Sequence, residues 1–371
     1  TKYPVVTLTG PRQSGKSTLA KKVFTHKSYV SCEDPDISLF AQQDPRGFLH
    51  TYKDAVIDEA QKVPEIFSYI QGVVDEFDQP GQFILTGSSD FLLFEKITQS
   101  LAGRTAVLNL LPFSLSEIQP HSDFTEYEDY LFTGFYPRIY KMDIPAEDFY
   151  PSYVRTYVER DVRTLKNITD LGKFQFFLKM CAGRIGQLLN MSALANECGI
   201  SHTTAKSWIS VLEAGFIIFL LRPYHKNFNK TLVKMPKLYF YDPGLAAYLL
   251  DIKDASQIKT HYSKGALFES LILSEFFKNR FNQGQAANCY FWRDKKGNEV
   301  DCLLDQGGSV LPVGIKAGRT VTEDYFKGVE YLNKIAGNQA EKPLIIYGGS
   351  QEQKRTKAEV ISWSNLNSLQ L

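Results

Sequence analysis

Short apolar runs recur along the first part of the chain, VVTLT from Val5, AVID from Ala55 and FILT from Phe83, and each ends in small polar or acidic residues. That is the pattern of buried strands stopping at a sheet edge. A further strand is expected within LAGRTAVLNLLPFS, and a short one from Tyr29 to Cys32. Stretches with helical spacing separate these runs. Strands alternating with helices predict an α/β fold, a doubly wound parallel sheet over residues 1–150, with any ligand at the carboxyl ends of the strands.

The rhythm changes after residue 150. Tyr150 to Leu165 repeats apolar and aromatic residues at helical spacing, and Arg160 and Arg163 share a face. From Met191 the chain reads as a short helix, a turn at Gly199 and a second helix capped by Ser201, with Leu238 to Tyr241 as part of a following wing. Residues 151–250 are therefore expected to form a helical region with a winged helix-turn-helix. In the remainder, 251–371, an amphipathic helix from Gly265 to Lys278 precedes three strand-like runs, YFWR from Tyr290, EVDCLL from Glu299 and LPVGIK from Leu311. A turn from Asp294 to Asn298 joins the first two.

Composition narrows the function classes. At 371 residues the chain is too long for one ordinary core and suggests two or three domains. Its 42 Lys and Arg balance 41 Asp and Glu, so no global field draws it to nucleic acid or an anionic membrane, and any DNA or RNA contact must come from a local patch. The longest apolar run, Phe216 to Leu221, falls far short of the roughly 20 residues that cross a bilayer; no membrane partner is expected. Cys32, Cys181, Cys198, Cys289 and Cys302 lack C-x-x-C spacing and read as free thiols of a cytoplasmic protein. No signal peptide is visible, and because the first residue is Thr the natural start is expected upstream.

The chemistry is concentrated where the first strand ends. Gly10 to Ser17 fits G-x-x-x-x-G-K-[ST] at every fixed position, between an apolar strand and a helix. Gly10, Pro11, Arg12, Gln13, Ser14, Gly15, Lys16, Ser17 and Thr18 are thus the expected cradle for the phosphates of ATP, with Lys16 on the outer phosphates and Ser17 on Mg²⁺. About 40 residues on, Asp58 and Glu59 close the second strand. Asp58 is expected to hold Mg²⁺ through water, and Glu59 to activate the water that attacks the γ-phosphate. The run FILTGSS offers Thr86 or Ser88 to position that water, Ser88 being preferred. Arg104, Arg160 and Arg163 are the candidate arginine fingers, which would make hydrolysis depend on closure or on assembly into a homo-oligomer. His202, Thr203, Thr204 and Lys206 of the second helix of the helix-turn-helix are offered to a nucleic-acid groove or to a partner protein.

A second constellation lies near the carboxyl terminus. Asp301 and Lys316 are expected to face each other from neighbouring strands, with Glu269 behind them. An Asp, an acid-x-Lys and a helix Glu make the Mg²⁺ site of restriction-type nucleases. Here the acid position is Gly314, so the reading is a degenerate nuclease site.

Taken together, TLTGPRQSGKSTLA, AVIDEAQKVPEIF, FILTGSS, LAGRTAVLNLLPFS, YVERDVRTL, MPKLYFYDPGLAAYLL, GALFESLI and FWRDKKGNEVDCLL span nearly the whole chain. In these stretches the sequence resembles the prokaryotic family of AAA-like P-loop ATPases with a carboxyl-terminal domain of unknown function. The resemblance implies a P-loop domain followed by a winged helix and a restriction-endonuclease-like fold, in which members usually carry Glu where this chain has Gly314. Mg-dependent ATP hydrolysis coupled to those modules is the expectation. An ATP-controlled DNA or RNA nuclease and a nucleotide-switched binding module are the alternatives.

Overall fold

The computed structural model describes residues 2–77, 79–87, 99–158, 170–225 and 233–369. The amino-terminal sheet has five parallel strands, β1 (Val5–Thr9), β2 (Ser28–Ser31), β3 (Ala55–Asp58), β4 (Phe83–Thr86) and β5 (Thr105–Asn109), in the order β2-β3-β4-β1-β5. Every residue of β1, β3 and β4 is buried, whereas the outer strands β2 and β5 are partly exposed. The continuous apolar runs of the three inner strands follow from that double coverage. Helix α1 (Lys16–Val23) leaves β1 through the glycine loop. Helix α2 (Ile66–Phe77) turns Ile66, Phe67, Ile70 and Val74 into the core shared with β3 and β4.

Beyond β5, the helix Ala146–Tyr153 passes into one π turn, Val154–Val158. The described part of the expected Tyr150–Leu165 helix is therefore two conformations, with Pro151 inside the first. Helix α3 (Met191–Glu197) is capped by Asn190, whose side chain accepts from Ala193 N at 3.0 Å. Gly199 turns the chain at φ 61°, and α4 (His202–Ala214) starts at Ser201, whose Oγ accepts from Thr204 N at 3.0 Å. A two-stranded antiparallel ribbon, β6 (Ile218–Leu221) with β7 (Lys237–Phe240), follows.

The last region is a mixed six-stranded sheet, β8 (Cys289–Arg293), β9 (Glu299–Asp305), β10 (Val310–Lys316), β11 (Leu344–Tyr347), β12 (Gln353–Lys354) and β13 (Glu359–Ser362), in the order β12-β13-β11-β10-β9-β8. The long helix α5 (Lys264–Asn282) packs Leu267 and Leu271 with Cys302, Val313 and Ile315, while α6 (Lys327–Ala336) packs Val329 and Leu332 with Val300, Leu303 and Ile345. One apolar cluster runs from Leu111 to Leu366 and includes residues on both sides of position 251. Polar contacts tie the same regions: Leu115 N donates to Glu275 Oε2 at 2.9 Å, and buried Asp242 accepts from Phe135 N, Leu245 N and Tyr150 OH at 2.7 to 2.8 Å. All five cysteines are buried and free. Among the described residues no helix is long and apolar enough to cross a membrane.

Candidate active site

Because its strands are all parallel, the amino-terminal sheet brings the loop after β1 and the last residues of β3 and β4 to one edge. The loop backbone is shaped for close approach. Gly10 sits at φ 148°, where an added Cβ would lie 2.0 Å from Leu110 O, so only glycine fits. Gly15 caps α1 at φ 95°, and the first amides of that helix, lacking partners within it, face the loop. The Lys16 ammonium is buried and donates to Gly10 O at 3.0 Å and Pro11 O at 2.7 Å. Among the described residues Ser14 Oγ and Gln13 Oε1 are buried without a hydrogen-bond partner. A glycine loop with a buried ammonium and a buried hydroxyl, leading into a helix N-terminus, fits a polyphosphate.

Asp58 is the hub of the second half of the site. Ser17 Oγ donates to its Oδ1 and Oδ2 at 2.9 and 3.0 Å, Tyr29 OH to Oδ2 at 2.6 Å, and Thr86 Oγ1 to Oδ1. These hydroxyls come from α1, β2 and β4, and they fix the carboxylate beside the loop. Glu59 follows in the left-handed region, φ 53° and ψ 41°, a conformation uncommon for a non-glycine residue and concentrated at functional sites. Gln61 Nε2 donates to Glu59 Oε2 at 2.6 Å. Burial raises the Glu59 pKa, opposed by the positive charges of Lys16 and Arg12 and reinforced by Asp58. A raised carboxyl beside two cations is the kind of perturbed group that clusters at functional sites.

The expected residues therefore converge in part. Lys16, Ser17, Asp58 and Glu59 come together, and β4 lies between β1 and β3 as a strand supplying a polar group must. The polar group that reaches the hub is Thr86; Ser88 lies outside the described residues, as do Arg160 and Arg163. Arg104 sits at the opposite edge of the sheet, just before β5, where it forms a two-point ion pair with Asp75 and donates to Ala102 O at 3.2 Å. The finger expectation fails there within one chain, because the length of a strand separates Arg104 from the loop. Tyr29 was not anticipated: it lies on β2, whose sequence gives no sign of its neighbour.

The second constellation also assembles. Lys316 Nζ donates to Asp301 Oδ2 at 2.7 Å, and Ile315 N donates to the same oxygen at 2.7 Å. This carboxylate takes the place of a ladder acceptor beside a register shift between β8 and β9. Glu269 accepts from Tyr239 OH at 2.5 Å, and its pKa is pushed up to about 7 by burial, with Lys237 acting the other way. Lys237 is the unforeseen member: its ammonium pairs with Glu299 and stands 4.0 Å from Glu269 Oε2. A side chain at Gly314 would start 2.7 Å from Ile345 Cδ1, with Tyr325 O at 3.6 Å and Val329 Cγ1 at 3.8 Å. A side chain there must first displace the end of Ile345. Among the described residues no group of three or more His, Cys, Asp or Glu is arranged to hold a metal ion; here the Lys237 and Lys316 ammoniums stand against Glu299 and Asp301, which does not suit a second cation.

Comparison with known proteins bears on the amino-terminal region. Residues 2–119 match the AAA domain family. That match supports a P-loop ATPase in the amino-terminal region. Residues 124–256 and 264–366 match two families, each described as a domain of unknown function, DUF8612 and DUF4143. The chain is 28% identical over 353 residues to the uncharacterized protein Rv2008c of Mycobacterium tuberculosis, covering 93% of this chain and 77% of that one. It is 21% identical over 330 residues to the uncharacterized protein MJ1544 of Methanocaldococcus jannaschii, covering 82% and 70%. Among solved structures, the Walker-type ATPase PABY2304 of Pyrococcus abyssi is similar at TM-score 0.38 and 16% identity, over 67% of this chain and 91% of that one.

Proposed function

We propose that the protein is a Mg²⁺-dependent ATPase whose nucleotide cycle acts on its carboxyl-terminal modules. The observation that carries this reading is the Ser17 to Asp58 contact, 2.9 and 3.0 Å, made beside a glycine loop shaped for phosphate. In this reading the amides of Gly15 to Thr18 and the Lys16 ammonium bind the phosphates. Ser17 and Asp58 would hold Mg²⁺, which when bound neutralises charge on the outer phosphates. Glu59 takes the proton of the attacking water, and its left-handed backbone with the Gln61 hydrogen bond aims the carboxylate. Thr86 keeps Asp58 in place.

A nucleic-acid partner is the second part of the reading, supported by the α3–turn–α4 pair with its ribbon and by exposed His202, Thr203 and Lys206 on α4. Steady-state phosphate release from ATP and Mg²⁺, measured alone and with single- and double-stranded DNA, tests both parts. Turnover is expected, with stimulation by one DNA form. No turnover under any condition would leave only a nucleotide-switched binding module, and turnover indifferent to DNA would remove the nucleic-acid part.

A further inference from the structure

The acidic cluster of the carboxyl-terminal sheet already has a cation. Lys237 reaches it from β7, outside that sheet, and its side chain is only 5% exposed. The ammonium pairs with Glu299, lies 4.0 Å from Glu269 Oε2, and is within electrostatic reach of Asp301. Lys316 Nζ pairs with Asp301 at 2.7 Å, and Arg293 meets Glu299 at 3.1 Å. A buried ammonium is tolerated only when opposite charges surround it. Burial acts to lower the Lys237 pKa, yet Glu269, Glu299 and Asp301 together raise it above the ordinary value. The cluster thus keeps the charge rather than the space for a metal. A Mg²⁺ ion would need oxygens at about 2.1 Å in an octahedron, within the volume the ammonium fills, and no acid stands at Gly314.

We infer that Lys237 is the resident cation of this cluster: it takes the place among Glu269, Glu299 and Asp301 that a divalent metal would need, it ties the β6–β7 ribbon to the six-stranded sheet, and the cluster recruits no metal of its own. The inference is independent of the ATPase reading.

The test uses the full chain without nucleotide, with Asp58→Asn to remove the amino-terminal metal ligand, and follows Mn²⁺ by electron paramagnetic resonance. No saturable uptake is expected. Saturable uptake that vanishes when Asp301→Asn or Glu269→Gln is added would overturn the inference. A second arm compares Lys237→Met with Lys237→Arg. Removing the charge leaves carboxylates buried without their counter-ion and should lower Tm by roughly 10 °C or prevent folding, while Lys237→Arg keeps the charge and stays closer to the parent. A Lys237→Met chain that melts like the parent, or Lys237→Arg failing as badly as Lys237→Met, would show that charge is not what holds this cluster.

Discussion

Replacing Glu59 by Gln isolates proton transfer from nucleotide binding. The amide has nearly the same shape, and its oxygen can still accept from Gln61 Nε2, which now donates to Glu59 Oε2 at 2.6 Å. The hydrogen bonds of Lys16 to Gly10 O and Pro11 O, and of Ser17 to Asp58, involve no atom of Glu59 and should be kept. What is lost is the base. General-base catalysis by a positioned side chain is worth about 100- to 10,000-fold, which corresponds to about 3–5 kcal/mol on the barrier. Glu59→Gln should therefore lower kcat by that factor and leave ATP affinity unchanged or tighter, because a negative charge beside Lys16 has gone. The wild-type pH profile supplies a second readout. Burial raises the Glu59 pKa above its ordinary 4.5, and the base works deprotonated, so kcat should fall with falling pH at a point above 4.5 and the variant should lack that limb. The assay is steady-state phosphate release alongside equilibrium nucleotide binding. A variant turning over within a few-fold of wild type would remove Glu59 from the mechanism.

Gly10→Ala places a Cβ 2.0 Å from Leu110 O at φ 148°, and should cost about 3 kcal/mol of stability and abolish ATP binding; a chain with wild-type melting and binding would contradict the loop geometry. Glu269→Gln should alter stability with pH. Burial raises the Glu269 pKa from 4.5 to about 7, so between these values the folded chain holds a proton that the unfolded chain has released. Wild-type stability should then decline with rising pH relative to the variant, by at most about 1.4 kcal/mol per pH unit, as urea melts across that window will show; parallel curves would refute it. Gly314→Glu, which on sequence grounds restores a nuclease acid, should instead destabilise the chain by about 1–3 kcal/mol through overpacking against Ile345 and give no metal-dependent cleavage of DNA or RNA. A stable, cutting variant would reverse that conclusion.

The phosphate loop was legible because its chemistry and its fold are written in one contiguous stretch. Asp58 and Glu59 were legible because an apolar strand ending in two acids has few other uses beside such a loop. Tyr29 and Thr86 were harder, since their role depends on strand order, and β2-β3-β4-β1-β5 is not encoded locally. The strands β8 to β10 and the Asp301 to Lys316 pair followed from alternation and a short turn. Lys237 could not, because it arrives from β7 over a long sequence separation and reads in isolation as one more surface lysine. Gly314 was legible as the missing acid of the Asp301 to Lys316 spacing, whereas the Ile345 side chain 2.7 Å from where its Cβ would lie was not, because β11 meets β10 only in the folded sheet.

The central claim is that the loop after β1 holds ATP through Lys16. Titrating a fluorescent ATP analogue with Mg²⁺ into the wild type and into Lys16→Ala tests it most directly. Saturable binding by the wild type, displaced by unlabelled ATP and lost in a folded Lys16→Ala chain, is the predicted result. Equal binding by the two chains, or none by the wild type, would contradict it.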